Sequence, residues 1–187
     1  MAKLNSLADS VTLPGTTVQM PLIGFGVYQV PADTCAQATK LALDAGYRHI
    51  DTAQLYRNEA EVGKAILASG VSRSGIFVTT KIGMRGATAE ATYDLALASV
   101  KRIAGDGPDA YVDLFLIHIP WVKGEAVGRK ELWQALERLL EEGKTRAIGV
   151  SNYGVEHLEE LREYAKVWPP HVNQIQVSYA APHAVQL

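Results

Sequence analysis

Four side chains of complementary chemistry punctuate this sequence: the carboxylate of Asp51, the phenol of Tyr56, the amine of Lys81 and the imidazole of His118. A lysine buried beside an aspartate keeps its charge through ion pairing, and an ammonium near a phenol favours the phenolate, drawing its pKa down from about 10. A tyrosine tuned in this way acts as a general acid near neutrality, handing its proton to a carbonyl oxygen as negative charge develops there. A neutral His118 would donate a hydrogen bond to the same oxygen. The set suits reduction of a carbonyl, but no side chain supplies hydride, so a cofactor must. Taken singly, each residue has an ordinary use: Lys81 as a solvated strand end, His118 as a satisfied core histidine, Asp51 as a helix cap. Their arrival at equivalent places in the chain is what argues for chemistry.

Those places are set by an alternation of short apolar runs with longer amphipathic ones. After a Pro14-Gly15 turn, whose flanks Val11-Thr12-Leu13 and Val18-Gln19-Met20 predict a small hairpin, strands are expected at 22–25, 49–51, 76–81, 112–117, 147–151 and 175–177. Apolar residues recurring three or four positions apart predict helices over 34–45, 59–69, 89–103, 130–142 and 155–166. Asn58 followed by Glu61 reads as an N-terminal capping signal for the second helix. Strands rich in Val, Ile and Phe that alternate with helices predict a parallel sheet in an α/β fold, either a doubly wound open sheet or a (β/α)8 barrel. The first would carry a glycine fingerprint after its first strand. In Gly24-Phe25-Gly26-Val27-Tyr28-Gln29, Gln29 occupies the place of the third glycine, which favours the barrel. In a parallel barrel the chemistry collects at the C-terminal strand ends, and Asp51, Lys81, His118 and Ser151-Asn152 all fall there.

Composition narrows the function classes. Eighteen Lys and Arg against 20 Asp and Glu give a net charge of −2, so no global positive field is available to hold nucleic acid or an anionic membrane. A single cysteine, Cys35, cannot form an intramolecular disulfide. The start of the chain lacks the apolar core of a signal peptide, so a cytoplasmic protein is expected. His157, His171 and His183 lack the mutual spacing of a metal site, and no metal is expected. Trp133, among Leu132, Leu136 and Leu140, reads as core packing.

The run Gly46-Tyr47-Arg48-His49-Ile50-Asp51-Thr52-Ala53-Gln54-Leu55-Tyr56-Arg57-Asn58-Glu59, continuing to Val62-Gly63, resembles the first signature of the aldo-keto reductases. Leu114-Phe115-Leu116-Ile117-His118-Ile119-Pro120 resembles the family's fourth-strand motif. Gly143-Lys144-Thr145-Arg146-Ala147-Ile148-Gly149-Val150-Ser151-Asn152-Tyr153 resembles its fifth. The resemblance implies NADPH-dependent reduction of an aldehyde or ketone, with Tyr56 as proton donor, Lys81 and Asp51 tuning it and His118 orienting a small-molecule carbonyl substrate. It also implies cofactor contacts from Gly26, Val27, Tyr28, Asp51, Ser151, Asn152 and Gln174, with NADPH lying extended across the barrel mouth. Tyr28, His118 and Ile119 would line the substrate pocket.

Two departures from the family pattern stand out. At Ile119 many relatives carry a tryptophan that walls the substrate pocket, so specificity on that side does not transfer. The resemblance covers residues 11–177, one domain, beyond which 178–187 read as a divergent tail. A full barrel takes about 250 residues at roughly 31 per unit, so the expectation is an incomplete barrel of about six βα units out of eight. Such a chain is expected to lack basic residues that grip the cofactor's 2′-phosphate and to self-associate through open barrel edges. The alternative is a catalytically weak or inactive form serving as an interaction module.

Overall fold

The computed structural model describes residues 6–177; the tail expected at 178–187 lies outside the described residues. A two-stranded antiparallel hairpin, β1 (Ser10–Thr12) and β2 (Gln19–Pro21), opens the chain. Six strands then pair in chain order, all parallel: β3 (Phe25–Gly26), β4 (His49–Asp51), β5 (Phe77–Ile82), β6 (Leu114–Ile117), β7 (Ile148–Ser151) and β8 (Asn173–Gln174). Helices α1 (Ala32–Asp44), α2 (Glu59–Ala68), α3 (Ala89–Ala104), α4 (Glu125–Glu141) and α5 (Val155–Arg162) form the connections. The sheet is a curled partial barrel with its helices outside, as the alternation predicts. The last strand differs from the sequence expectation: it is residues 173 and 174, not 175–177, that pair with β7.

Side chains alternate across each strand, and the two faces have different fates. Ile50, Val78, Ile82, Phe115, Ile117, Ile148 and Val150 face outward into the main core under the helices, with Trp133 fully buried among them. Phe77, Leu114, Leu116 and Ala147 face inward, where Leu13 and Val18 of the hairpin and half-buried Met20 and Val172 pack on them. Because Phe77, Leu114 and Ala147 stand at the beginnings of their strands, the hairpin closes the bottom of the barrel. The polar inward positions, Asp51, Lys81 and Ser151, are thereby left for the top.

Two glycines permit close approaches that position this top rim. A Cβ on Gly63 of α2 would lie 2.5 Å from the Ile103 carbonyl oxygen and 2.8 Å from that of Arg102, so α2 reaches the end of α3 only without a side chain there. A Cβ on Gly149 of β7 would collide with the Val172 carbonyl oxygen, so only glycine lets the β8 segment lie against β7. Glu59, buried in the first turn of α2, accepts hydrogen bonds from Thr80 of β5 at 2.5 Å and from Ser99 and Arg102 of α3 at 3.2 and 2.7 Å. These bonds fix the start of α2 and the turn before it. Asn58 does not cap α2 through its side chain, contrary to the capping signal; that amide points elsewhere.

Candidate active site

Each of the four chemistry-bearing residues reaches the top rim from a different local structure. Asp51 ends β4 and Lys81 is the fifth residue of β5, facing inward. His118 follows β6 directly, its N–H donating to the Ile82 carbonyl at 2.8 Å. Tyr56 closes a 3-10 turn, Gln54–Tyr56, that runs between β4 and α2 and stops at Arg57, whose φ of 58° is left-handed. One cavity of about 720 Å3 is lined by all four, together with Tyr28, Leu55, Ile119, Ser151, Asn152, Gln174, Ile175 and Gln176.

Within it, the Lys81 ammonium is only 2% exposed and pairs with Asp51 Oδ1; it also donates to the Thr52 carbonyl at 3.1 Å. The other Asp51 oxygen accepts from Gln174 Nε2 at 2.9 Å. Lys81 Nζ lies 5.3 Å from the centroid of the Tyr56 ring. That ring meets His118 edge-to-face at 5.5 Å and Tyr28 at 5.0 Å. Among the described residues His118 Nδ1, which is buried, has no hydrogen-bond partner.

The electrostatics correct one expectation. Burial, followed by the Asp51 carboxylate and Tyr28, pushes the Tyr56 phenol up to about 12 instead of drawing it down. Lys81 does not act on Tyr56 as an isolated cation, because its charge is matched by Asp51 at closer range. Tyr56 therefore keeps its proton across the neutral range, the form required of a donor. Burial, reinforced by the Lys81 charge, lowers His118 to about 4, so its imidazole is neutral. Burial also lowers Lys81, against the opposing pull of Asp51.

The cofactor positions implied by resemblance separate into two groups. Tyr28, Asp51, Ser151, Asn152 and Gln174 line the cavity. Ser151 Oγ donates to the Gln174 carbonyl at 2.8 Å, and Asn152, at φ 59°, bridges to Ser151 Oγ at 3.0 Å and the His118 carbonyl at 3.4 Å. Gly26 instead lines an adjoining cavity of about 370 Å3, which Asp51 and Gln174 also border, together with His49, Leu114 and Val172. Val27 does not meet the expectation of a cofactor contact: its side chain is fully buried in the main core, its N–H is bonded to the Asp51 carbonyl and its carbonyl to Asn58. Sequence reasoning missed Leu55, Ile175 and Gln176. Leu55 could have been found from its place one residue before Tyr56, and Gln176 from its spacing of two after Gln174. Among the described residues no cluster of three His, Cys, Asp or Glu side chains could hold a metal ion, and no helix is long and apolar enough to cross a membrane.

At its C-terminal rim the parallel α/β partial barrel thus carries a lysine–aspartate pair, a tyrosine and a neutral histidine. Residues 22–186 match the aldo/keto reductase family, and the chain belongs to it. It is 43% identical over 163 residues to an aldo-keto reductase of Mycolicibacterium smegmatis, a match covering 87% of this chain and 57% of that protein. It is 42% identical over 172 residues to the glyoxal reductase of Bacillus subtilis, covering 91% and 59%. The crystal structure of a Bombyx mori aldo-keto reductase in complex with NADP superposes with a TM-score of 0.79 at 30% identity, over 92% of this chain and 59% of that one. The chain thus spans 57 to 59% of the length of these relatives.

Proposed function

We propose that this protein reduces the carbonyl group of an aldehyde or ketone to an alcohol with NADPH as hydride donor, Tyr56 giving the proton. The observation that carries this reading is the meeting of Tyr56 and His118 over the Lys81–Asp51 pair in one cavity. The donor set at the ends of β7 and β8 fits a nicotinamide. A primary carboxamide needs an acceptor for its N–H groups and a donor for its oxygen, and Ser151, Asn152 and Gln174 offer hydroxyl and amide groups of both kinds. When bound there, reduced nicotinamide supplies the hydride.

The chain's own residues do the rest. His118, neutral and close to Tyr56, directs a hydrogen bond at the carbonyl oxygen and so orients it toward the phenol. As hydride reaches the carbon, negative charge grows on that oxygen, and the Tyr56 proton transfers to it. Lys81, held in place by Asp51 and the Thr52 carbonyl, favours the phenolate that remains. Gln174 fixes the second Asp51 oxygen, so the carboxylate cannot rotate away from Lys81.

The test is direct: the purified chain is mixed with NADPH and glyoxal, a probe chosen from the Bacillus subtilis relative, and loss of NADPH absorbance is followed. Titration of the exposed Trp121 fluorescence with NADPH and with NADH reads cofactor affinity separately. Cofactor-dependent turnover supports the reading; a chain that does not bind the nicotinamide cofactor favours the interaction module.

A further inference from the structure

Asn58 is fully buried two residues after Tyr56, and its side-chain amide leaves the helix that starts there to bond three other groups. Nδ2 donates to the carbonyls of Val27 at 2.9 Å and Val30 at 3.2 Å, while Oδ1 accepts from Thr52 Oγ1 at 2.8 Å. The two carbonyls bracket a tight turn closed by the Val30 N–H on the Val27 carbonyl at 3.2 Å. At its third position stands Gln29 with φ 61°, the left-handed geometry that a type II turn demands and that glycine or asparagine normally supplies. A glutamine there favours other conformations, so something must hold the turn. Its apex residue is Tyr28, 62% exposed at the cavity mouth with its ring 5.0 Å from that of Tyr56.

We propose that Asn58 is a positioning residue: it clamps the 27–30 turn in its strained form and thereby fixes Tyr28 as the wall that a carbonyl substrate meets beside Tyr56. One amide joins the turn carrying Tyr28, the end of the strand carrying Asp51 and the segment carrying Tyr56. The clamp sets how well the cavity holds a substrate; it does not touch the proton that Tyr56 transfers. The clamp itself stands on geometry alone, whereas its effect on substrate rests on the reductase reading.

The experiment compares the 187-residue chain with Asn58→Ser and with Asn58→Ser combined with Gln29→Gly. Serine stays polar but is too short to bond both carbonyls. Amide hydrogen exchange over residues 28–30 is expected to accelerate at least about tenfold in Asn58→Ser, with α3 and β6 unchanged, and Gln29→Gly is expected to reverse most of it, since glycine occupies that turn freely. With NADPH and glyoxal, Asn58→Ser is expected to raise KM about fivefold with kcat within about twofold, and the second substitution to restore KM. A general loss of folding would not be repaired by a glycine in the turn. Unchanged exchange in Asn58→Ser, or no recovery with Gln29→Gly, overturns the clamp; a fall in kcat at constant KM overturns its role in substrate binding. If the unaltered chain shows no turnover, the reductase reading fails and the exchange comparison still decides the clamp. Should Asn58→Ser not fold, NMR of the unaltered chain decides: slow exchange of both Asn58 side-chain amide protons is expected, and fast exchange refutes the bonds to Val27 and Val30.

Discussion

At the scale of single residues, the proposed reaction divides the site into one group that would give a proton and the groups that hold it in place. Tyr56 is protonated throughout the neutral range because burial raises it to about 12, so in the proposed reaction its proton would leave only to a stronger base, the developing alkoxide. Tyr56→Phe keeps the ring against Tyr28 and His118 and removes the proton. Carbonyl reduction is expected to fall by about 10² to 10⁴ while NADPH binding changes little; steady-state turnover alongside a fluorescence titration checks both. Lys81→Met acts differently, leaving the Asp51 carboxylate with Gln174 as its remaining side-chain partner. Asp51 keeps 17% exposure, so the stability loss should sit near the low end for a broken buried pair, about 2 to 3 kcal/mol, with turnover suppressed as well. Denaturant unfolding of the variant measures the first part, and an unchanged midpoint would refute it.

At the scale of elements, the strands sort their side chains by position as well as by face. The hairpin takes the apolar inward residues at the strand beginnings, and the polar inward residues at the strand ends meet over the cavity. The β7–β8 contact depends on Gly149, because a side chain there would strike the Val172 carbonyl. Gly149→Ala is therefore expected to displace β8, cost about 1 to 3 kcal/mol of stability and weaken nicotinamide binding by detaching Gln174 from Asp51. Urea unfolding and cofactor titration test the two effects together. Normal stability with normal binding would show that the strand accommodates the methyl group.

At the scale of the whole molecule, three histidines couple folding to pH. Burial lowers His49, His118 and His171 below their ordinary value of 6.5, His118 to about 4. Between those limits the unfolded chain binds more protons than the native one, so stability rises with pH and is lost on acidification below about 6.5. A urea midpoint that stays level from neutrality down to about pH 5 would contradict this, and His118→Gln should flatten the slope if that residue dominates it. Among the described residues β3 pairs only with β4 and β8 only with β7, leaving two strand edges. Concentration-dependent self-association in sedimentation velocity is the expected consequence.

The sequence by itself determined the alternation, the parallel sheet and the residues at the strand ends. Short apolar runs and apolar helix stripes are local patterns that survive without knowledge of partners. Asp51, Tyr56, Lys81 and His118 could be named because each stands at or near the end of an apolar run, and the family resemblance named the same four. What only the tertiary structure decided depends on groups far apart in the chain. Asn58 looks like a helix cap from its neighbours, yet it serves carbonyls about 30 residues upstream. Tyr56 looks like a phenol tuned downward by a lysine, yet desolvation and the Asp51 charge outweigh that cation and raise it. Val27 looks like a cofactor contact from its place in the first loop, yet the packing of the loop turns it into the core. Burial and the competition between neighbouring charges are properties of three-dimensional surroundings, which the order of residues constrains but does not display.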